Sequence, residues 1–420
     1  MTGVSNRCDD AALLHGAATN VAVRTRLLAA AVLAGAALLV VRPAAQSASF
    51  VQFVFTSDAH YGITRKAFRG HQNADGHTVN RALVDAINSV ASMRLPADAG
   101  VRAGEIVGGV DFLAEGGDIA NREEVADERP IQSAAESWRQ FKEDYVDGLR
   151  LTAPSGERTP IDVVPGNHEA SNAVGFWKPM FPPTDNSALI AIYNWMLAPP
   201  TAKTPRTFDY NQDRVLYTRE VGGIHLMFLH VWPDSAVRAW IEKDLKSIAS
   251  STPVFLFTHD QPDVESKHFI NPNGAHGIND IDKFENLLAD RFADGATIDV
   301  PSTIEQADLE AFLDRHPNIT AYFHGNSNWN QFYDWAGPRR TLALHTFRVD
   351  SPMKGARSAA DETALSFQLA TLDTATFRMT VRECLWNTDP SNPAHGLVWG
   401  DSRTVSVAPA VYAVGTSSRR

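Results

Sequence analysis

From Phe50 onward, short apolar runs alternate with longer polar-faced segments, and this alternation of strand-like and helix-like stretches marks an α/β protein built on a layered sheet. A second feature points the same way. Each of six main apolar runs leads, directly or within a few residues, into Asp, His or Asn, and in open α/β sheets ligand-binding groups collect at the carboxyl ends of strands. The composition agrees: 420 residues, 44% hydrophobic and 21% charged, suit a globular chain of one large domain or two modest ones.

The predicted strands are 51–56, 110–113, 161–164, 224–229, 254–258 and 319–323. Between them, apolar residues recur at helical spacing in 80–93, 133–149, 235–248, 281–292 and 305–316, and Ser302-Thr303-Ile304-Glu305 reads as a capping box. After Thr341 the texture changes to strand-like runs at 342–349, 365–372 and 377–384, a β-rich closure over about 341–420 expected to complete a second sheet. The Pro-rich stretch 181–185 and the segment 197–206 read as surface loops.

The N-terminus reads as an export signal. Arg24 and Arg26 precede an apolar run at 27–41, and small residues follow at 43–48. The run falls short of the roughly 20 residues that cross a bilayer comfortably, so a signal cleaved near 45–48 is favoured over a retained anchor, and residues 49–420 form the mature domain. Membrane attachment enters only if the segment is kept. Export would place the mature chain in the periplasm or outside the cell. Cleavage removes Cys8 and leaves Cys384 alone, so no intramolecular disulfide forms. A formal charge of −11, more negative still after cleavage, argues against a nonspecific grip on nucleic acid or anionic lipid.

The chemistry sits at the strand ends. The six runs lead into Asp58-Ala59-His60, Gly117-Asp118, Gly166-Asn167-His168-Glu169, His230, His259 and His324-Gly325-Asn326-Ser327-Asn328. Carboxylate, imidazole and amide oxygen together suit divalent metals of intermediate hardness, and two such ions about 4 Å apart clamp a phosphoryl group. Such a pair also lowers the pKa of bound water enough to supply hydroxide near neutral pH.

In order and context, Asp58-Ala59-His60, Gly117-Asp118, Gly166-Asn167-His168-Glu169 and His259 resemble the calcineurin-like metallophosphoesterase superfamily over roughly 53–328. The resemblance implies a four-layer αββα sandwich of two mixed β-sheets flanked by helices. It implies an exported metal-dependent phosphoric ester hydrolase that cleaves mono- or diesters by attack of a metal-bound hydroxide. Two divalent ions (Mn, Fe, Zn, Mg or Ca) would be the cofactors and a phosphate ester the partner. On this match Asp58 and His60 bind one ion, Asp118 bridges both, and Asn167 and His259 bind the other. His168 would serve as general acid or charge stabiliser, with Glu169 supporting its imidazole.

One block departs from the pattern. Relatives end the sixth strand with Gly-His-x-His, whereas this chain has Gly325-Asn326-Ser327-Asn328. Amide oxygen is a harder and weaker donor than imidazole, which shifts preference toward manganese, magnesium or calcium. Three readings stay open: a working site with Asn326 and Asn328 as ligands, a site rescued by His324 or His230, and a catalytically impaired protein that binds metal or phosphate ligands without turnover. No Gly-x-Ser-x-Gly elbow supports a serine hydrolase.

Near the motifs, Arg65, Asn121 and Arg122 are candidates for holding a substrate phosphate, against ordinary surface or turn roles. His71, His77, His268 and His276 read as solvated loop histidines. Trp177, Phe181, Tyr193 and Trp195 read as core packing, with a pocket wall as the alternative.

Overall fold

The computed structural model describes residues 50–121, 125–126, 129–130, 132–172, 174, 182–273, 284–293 and 303–410. The export signal and its boundary, Arg122, Trp177, Phe181, His276 and Ser302 fall outside them.

Two six-stranded mixed sheets form the centre. In spatial order the first holds Val398–Ser406, Arg378–Leu385, Ser366–Asp373, Phe50–Thr56, Phe112–Glu115 and Ile161–Val163. The second holds Gln331–Trp335, Leu344–Arg348, Ile319–His324, Val254–Phe257, Ile224–Phe228 and Tyr217–Val221. The continuously apolar strands run parallel, Phe50–Thr56 with Phe112–Glu115 and Ile161–Val163 in one sheet. In the other sheet Ile224–Phe228, Val254–Phe257, Ile319–His324 and Leu344–Arg348 are also parallel. Less apolar strands pair antiparallel at the edges, as expected where one face meets solvent.

Strand alternation sorts side chains into three cores. Phe53, Phe55 and Phe112 of the first sheet meet Phe228, Phe255, Phe257 and Phe323 of the second in one inter-sheet cluster. The opposite-facing Val54, Leu113 and Leu369 pack with Val79, Leu83, Ile87 and Phe141 from the helices over the first sheet. Met227, Leu256 and Tyr322 pack with Val237, Ile241, Leu309 and Phe312 over the second. Helix, sheet, sheet and helix therefore stack as four layers, the architecture implied by the resemblance.

Local chemistry shifts several boundaries. Helix Gly76–Ser89 starts before the apolar periodicity does, because the Asp75 carboxylate caps it by accepting the Thr78 N–H. Helix Ala134–Phe141, capped by Ser133, continues as a π-helical stretch, Lys142–Asp147. Helix Ser187–Leu197 shows no amphipathic signal since it is apolar on most faces, and its Tyr193 and Trp195 pack against the helix-side core of the first sheet. The polar hairpin Thr64–Phe68 and His71–Asp75 turns at Arg69 and Gly70, both at positive φ (50° and 80°).

Two expectations are corrected. The segment 284–293 is not helical: Glu285, Leu287 and Leu288 donate their N–H groups to Lys267 and His268 carbonyls, a cross-chain ladder in place of i→i−4 bonds. The capping box expected from Ser302 to Glu305 starts outside the described residues; within them, the Glu305 carboxylate at the start of helix Ile304–Arg315 accepts the Ala293 N–H. The C-terminal strands do not share one sheet. Leu344–Arg348 joins the second, while Ser366–Asp373 pairs antiparallel with Phe50–Thr56 and carries Arg378–Leu385 and Val398–Ser406 onto the first.

Phe257 lies at the middle of the inter-sheet core, 1% exposed and stacked 4.9 Å from both Phe228 and Phe323. Phe257→Ala should lower unfolding free energy by about 3–5 kcal/mol. Phe257→Leu should cost about 1.5 kcal/mol or less. Urea denaturation followed by fluorescence checks both, and equal losses in the two variants would contradict a close-packed sheet interface.

Candidate metal centre

Parallel strands release their C-terminal loops at one edge, and there the motif residues converge. Asp58, His60 and Asp118 all take positive φ (59°, 42° and 58°), a backbone that turns each chain sharply as its strand ends. The turns are stitched together: Asp58 N–H donates to Gly117 O and His60 N–H to Asp118 O, each at 2.8 Å. The third loop fits because residue 166 is glycine. A Cβ there would lie 2.2 Å from Asp118 Oδ1.

Asp118 is the common member. Its Oδ2 lies 3.3 Å from His259 Nε2, 3.7 Å from His60 Nε2 and 3.8 Å from His168 Nε2. His60 Nε2 is also 3.5 Å from Asp58 Oδ1. Two buried groups with metal-ligand geometry result, Asp58, Asp118 and His259, and His60, Asp118 and His168. Burial would raise the Asp118 carboxyl, but the imidazoles, His259 foremost, hold it well below the usual carboxylate range. Burial pushes Asp58 up to about 6, with Asp118 adding to the rise and His259 opposing it. For His259 burial disfavours the proton, yet Asp118 and then Asp58 outweigh it and lift the imidazole well above the usual histidine range.

The donor set fits a divalent pair. His259 donates Nδ1–H to the Gly116 carbonyl at 2.7 Å, which aims Nε2 at Asp118. The Asn167 side-chain oxygen lies 3.2 Å from His259 Nε2, and that amide atom is 3.1 Å from both Asp118 carboxylate oxygens. Acceptors facing acceptors in a buried site repel each other unless the amide rotates or a cation lies between them. The buried His and Asp groups thus suit a binuclear metal site.

Asn326 and Asn328 also line the cavity, of about 290 Å³, with His60, Asp118, Asn167 and His168. Both take positive φ (57° and 61°), a conformation asparagine tolerates better than most residues. Asn326 N–H donates to Asp58 Oδ2 at 3.0 Å, while its amide nitrogen lies 3.3 Å from Gln261 Oε1 and from Glu265 Oε1. The Asn328 amide nitrogen donates to Asn326 O, and its buried Oδ1 has no hydrogen bond among the described residues.

Several supporting roles differ from those expected. Glu169 does not brace the His168 imidazole. Its carboxylate accepts backbone N–H groups from Asp118, Ala120 and Gly166 at 2.8–2.9 Å, while burial, aided by Asp118, pushes it up to about 7. The His168 imidazole is oriented by Asn121, whose backbone carbonyl accepts Nδ1–H at 2.5 Å. The buried Asn121 side chain does not line the cavity. Arg65 is buried and does not line the cavity: it donates to the Ala67, Pro352 and Ser358 carbonyls. His324 donates Nδ1–H to Gly325 O and accepts the Tyr333 hydroxyl at Nε2, supporting the 325–328 turn from its strand. His230 is fully buried and does not line the cavity. His268 is buried too, its Nδ1 2.6 Å from Asp260 Oδ2, so it is no surface histidine.

Other cavity residues escaped the motif reading: Glu265, Lys267, Glu285 and Lys354. Lys354 had a signal, because the strand Leu344–Arg348 leads into Asp350, Ser351 and Lys354 as the other parallel strands lead into their polar clusters. Lys354 Nζ donates to His168 Nε2 at 3.2 Å. Burial first, and Lys354 second, hold His168 well below the usual histidine range, so the imidazole is neutral.

No family model matches the sequence, and no curated protein does. Among solved structures the chain is similar to a dimetal phosphatase from Danio rerio, with 12% identity, a TM-score of 0.45, and coverage of 85% of this chain and 99% of that one. It is also similar to a phosphopantetheinyl hydrolase from Mycobacterium tuberculosis, with 12% identity, a TM-score of 0.30, and 72% and 91% coverage. A third similarity is to a Vps29 single mutant from Entamoeba histolytica, with 9% identity, a TM-score of 0.30, and 84% and 99% coverage. Likenesses this distant leave the chemistry to be read from the site itself. The fold is the one implied by the resemblance to the calcineurin-like metallophosphoesterases.

Below the Lys354 loop, burial pushes Asp350 up to about 8 against the opposing effects of Ser358, Ser351 and Arg65. A carboxyl with a raised folded pKa holds its proton more tightly when folded, so its stabilisation is full below about pH 4 and lost as pH rises through about 8. The melting temperature should therefore fall between about pH 5 and about pH 9, and Asp350→Asn should flatten that slope. Scanning calorimetry across the range decides it; parallel profiles would show that Asp350 does not titrate as described.

Proposed function

We propose that this chain is an exported metal-dependent phosphoesterase acting on phosphate mono- or diesters. The observation that supports this most strongly is Asp118, one buried carboxylate shared by two metal-type groups, with His168 beside it at the cavity wall. Asp58, His60, Asp118, Asn167 and His259 would hold the ions, with Asn326 and Asn328 completing the shells. Bound there, a divalent pair supplies Lewis-acid activation of a phosphoryl group and a strong nucleophile at neutral pH. Its oxygen-rich ligand set favours manganese or magnesium over zinc or iron.

The protein's own groups do the positioning. The Asn121 carbonyl fixes the tautomer of His168, leaving Nε2 to face the cavity beside Lys354. Unprotonated in this tautomer, Nε2 would have to take up a proton before it could give one to a leaving oxygen. Among the described residues the cavity is at the small end for ligand sites, suited to a phosphate with a compact leaving group. Export rests on the N-terminal pattern of Arg24, Arg26 and the apolar run at 27–41.

The purified full chain would be stripped of metal, reloaded with manganese, magnesium, calcium, zinc or iron, and assayed on aryl phosphate mono- and diesters. Turnover is expected with manganese or magnesium, falling about 100-fold in Asp118→Asn. Absence of activity above that variant with every metal would overturn the hydrolase reading and leave a metal- or phosphate-binding protein.

A further inference from the structure

The loop after strand Leu344–Arg348 is tied down on three sides. Ser351 Oγ donates to the Asp58 carbonyl at 2.8 Å and accepts the Met353 and Lys354 N–H groups at 3.2 and 2.9 Å. The Ala356 N–H donates to the Asn328 carbonyl. Arg65 reaches across from the hairpin and binds the Pro352 and Ser358 carbonyls, which bracket Lys354 in the chain. Gly355 permits the tight fold, since a Cβ there would lie 1.9 Å from Ser358 Oγ and 2.4 Å from Asp350 Oδ1. The Lys354 backbone is thereby linked to the first motif, through Asp58, and to the last, through Asn328.

Its side chain is half-buried and ends at the cavity, 3.2 Å from His168 Nε2. The cavity wall contributed by residues 326 and 328 is neutral, because both carry amides. Beside it stands the Glu265 carboxylate, 3.3 Å from the Asn326 amide nitrogen and paired with Lys267 at 2.7 Å, and Glu285 lines the cavity as well. An anionic group entering this space needs a cation on the His168 side. An ammonium on a partly desolvated wall is an effective phosphate ligand, because its charge is less screened than at an open surface.

Resting on the reading of this centre as a phosphate site, we propose that Lys354 is the residue that binds a non-bridging oxygen of the substrate's phosphoryl group, the Arg65-clamped loop holding it beside His168. The ammonium contributes the positive charge that Asn326 and Asn328 lack. His168 keeps it aimed at the cavity while no anion is bound.

The test uses the full chain loaded with manganese. Inorganic phosphate is titrated calorimetrically into the unaltered protein, Lys354→Met and Lys354→Arg, with manganese content per chain and melting temperature measured alongside. KM and kcat for an aryl phosphate monoester are taken in parallel. Lys354→Met should keep its manganese and its melting temperature while binding phosphate about tenfold to 100-fold more weakly. Its KM should rise by a similar factor, with kcat less affected, and Lys354→Arg should recover most of the binding. Unchanged phosphate affinity in Lys354→Met overturns the proposal, as does loss of manganese together with phosphate, or failure of the unaltered protein to bind phosphate. Lys354-dependent phosphate binding without turnover would sustain it while the hydrolase reading falls; turnover with phosphate binding indifferent to Lys354 would do the reverse.

Discussion

The Asp118 carboxylate lies where three imidazoles converge, and most of the candidate site serves to hold it there. A left-handed backbone at φ 58° turns its side chain out of the strand direction, a conformation of real cost for a non-glycine residue. Its surroundings over-determine that conformation. Glu169 accepts the Asp118 N–H, His60 donates to its carbonyl, and the His168 N–H donates to Oδ1. With these three contacts in place, Oδ2 is left facing His60, His168 and His259.

The two sheets make that convergence possible. Phe53, Phe55 and Phe112 on one sheet interleave with Phe228, Phe257 and Phe323 on the other, setting the loops of both at a common edge. His259, from the second sheet, donates to Gly116 of the first, while Gly325 N–H, after the neighbouring strand of the second sheet, donates to the His259 carbonyl. The apolar interface also sets the electrostatics. Buried carboxylates and imidazoles there are each displaced from their ordinary titration range, Asp58 upward, Asp118 downward and His168 downward.

Several residues in and around the motifs were legible in type but not in role. Glu169 belongs to the most specific motif, yet besides Gly166 of that motif its partners are the backbone amides of Asp118 and Ala120 in another loop, and nothing in the linear order points to those two. Arg65 has the charge and the proximity in sequence to serve a phosphate, but its guanidinium answers carbonyls from Pro352 and Ser358, far along the chain. Apolar spacing in 284–293 mimics a helix, while the neighbouring 267–270 strip captures its amides. In each case a long-range partner outcompetes the local pattern.

Apolar period, strand-end chemistry and the glycines of the tight turns determined the fold class and the gathering of Asp58, His60, Asp118, Asn167 and His259, because each depends on short-range chain geometry repeated at every strand end. Tertiary structure alone decided that Ser366–Asp373 enters the first sheet between Phe50–Thr56 and Arg378–Leu385, that Glu169 braces Asp118 and that Asn121 orients His168. It alone placed Lys354 at the cavity wall. These depend on which distant backbone donors and acceptors come into hydrogen-bonding reach once the two sheets close on one another, and hydrogen bonds between distant segments leave no periodic trace in the chain that makes them.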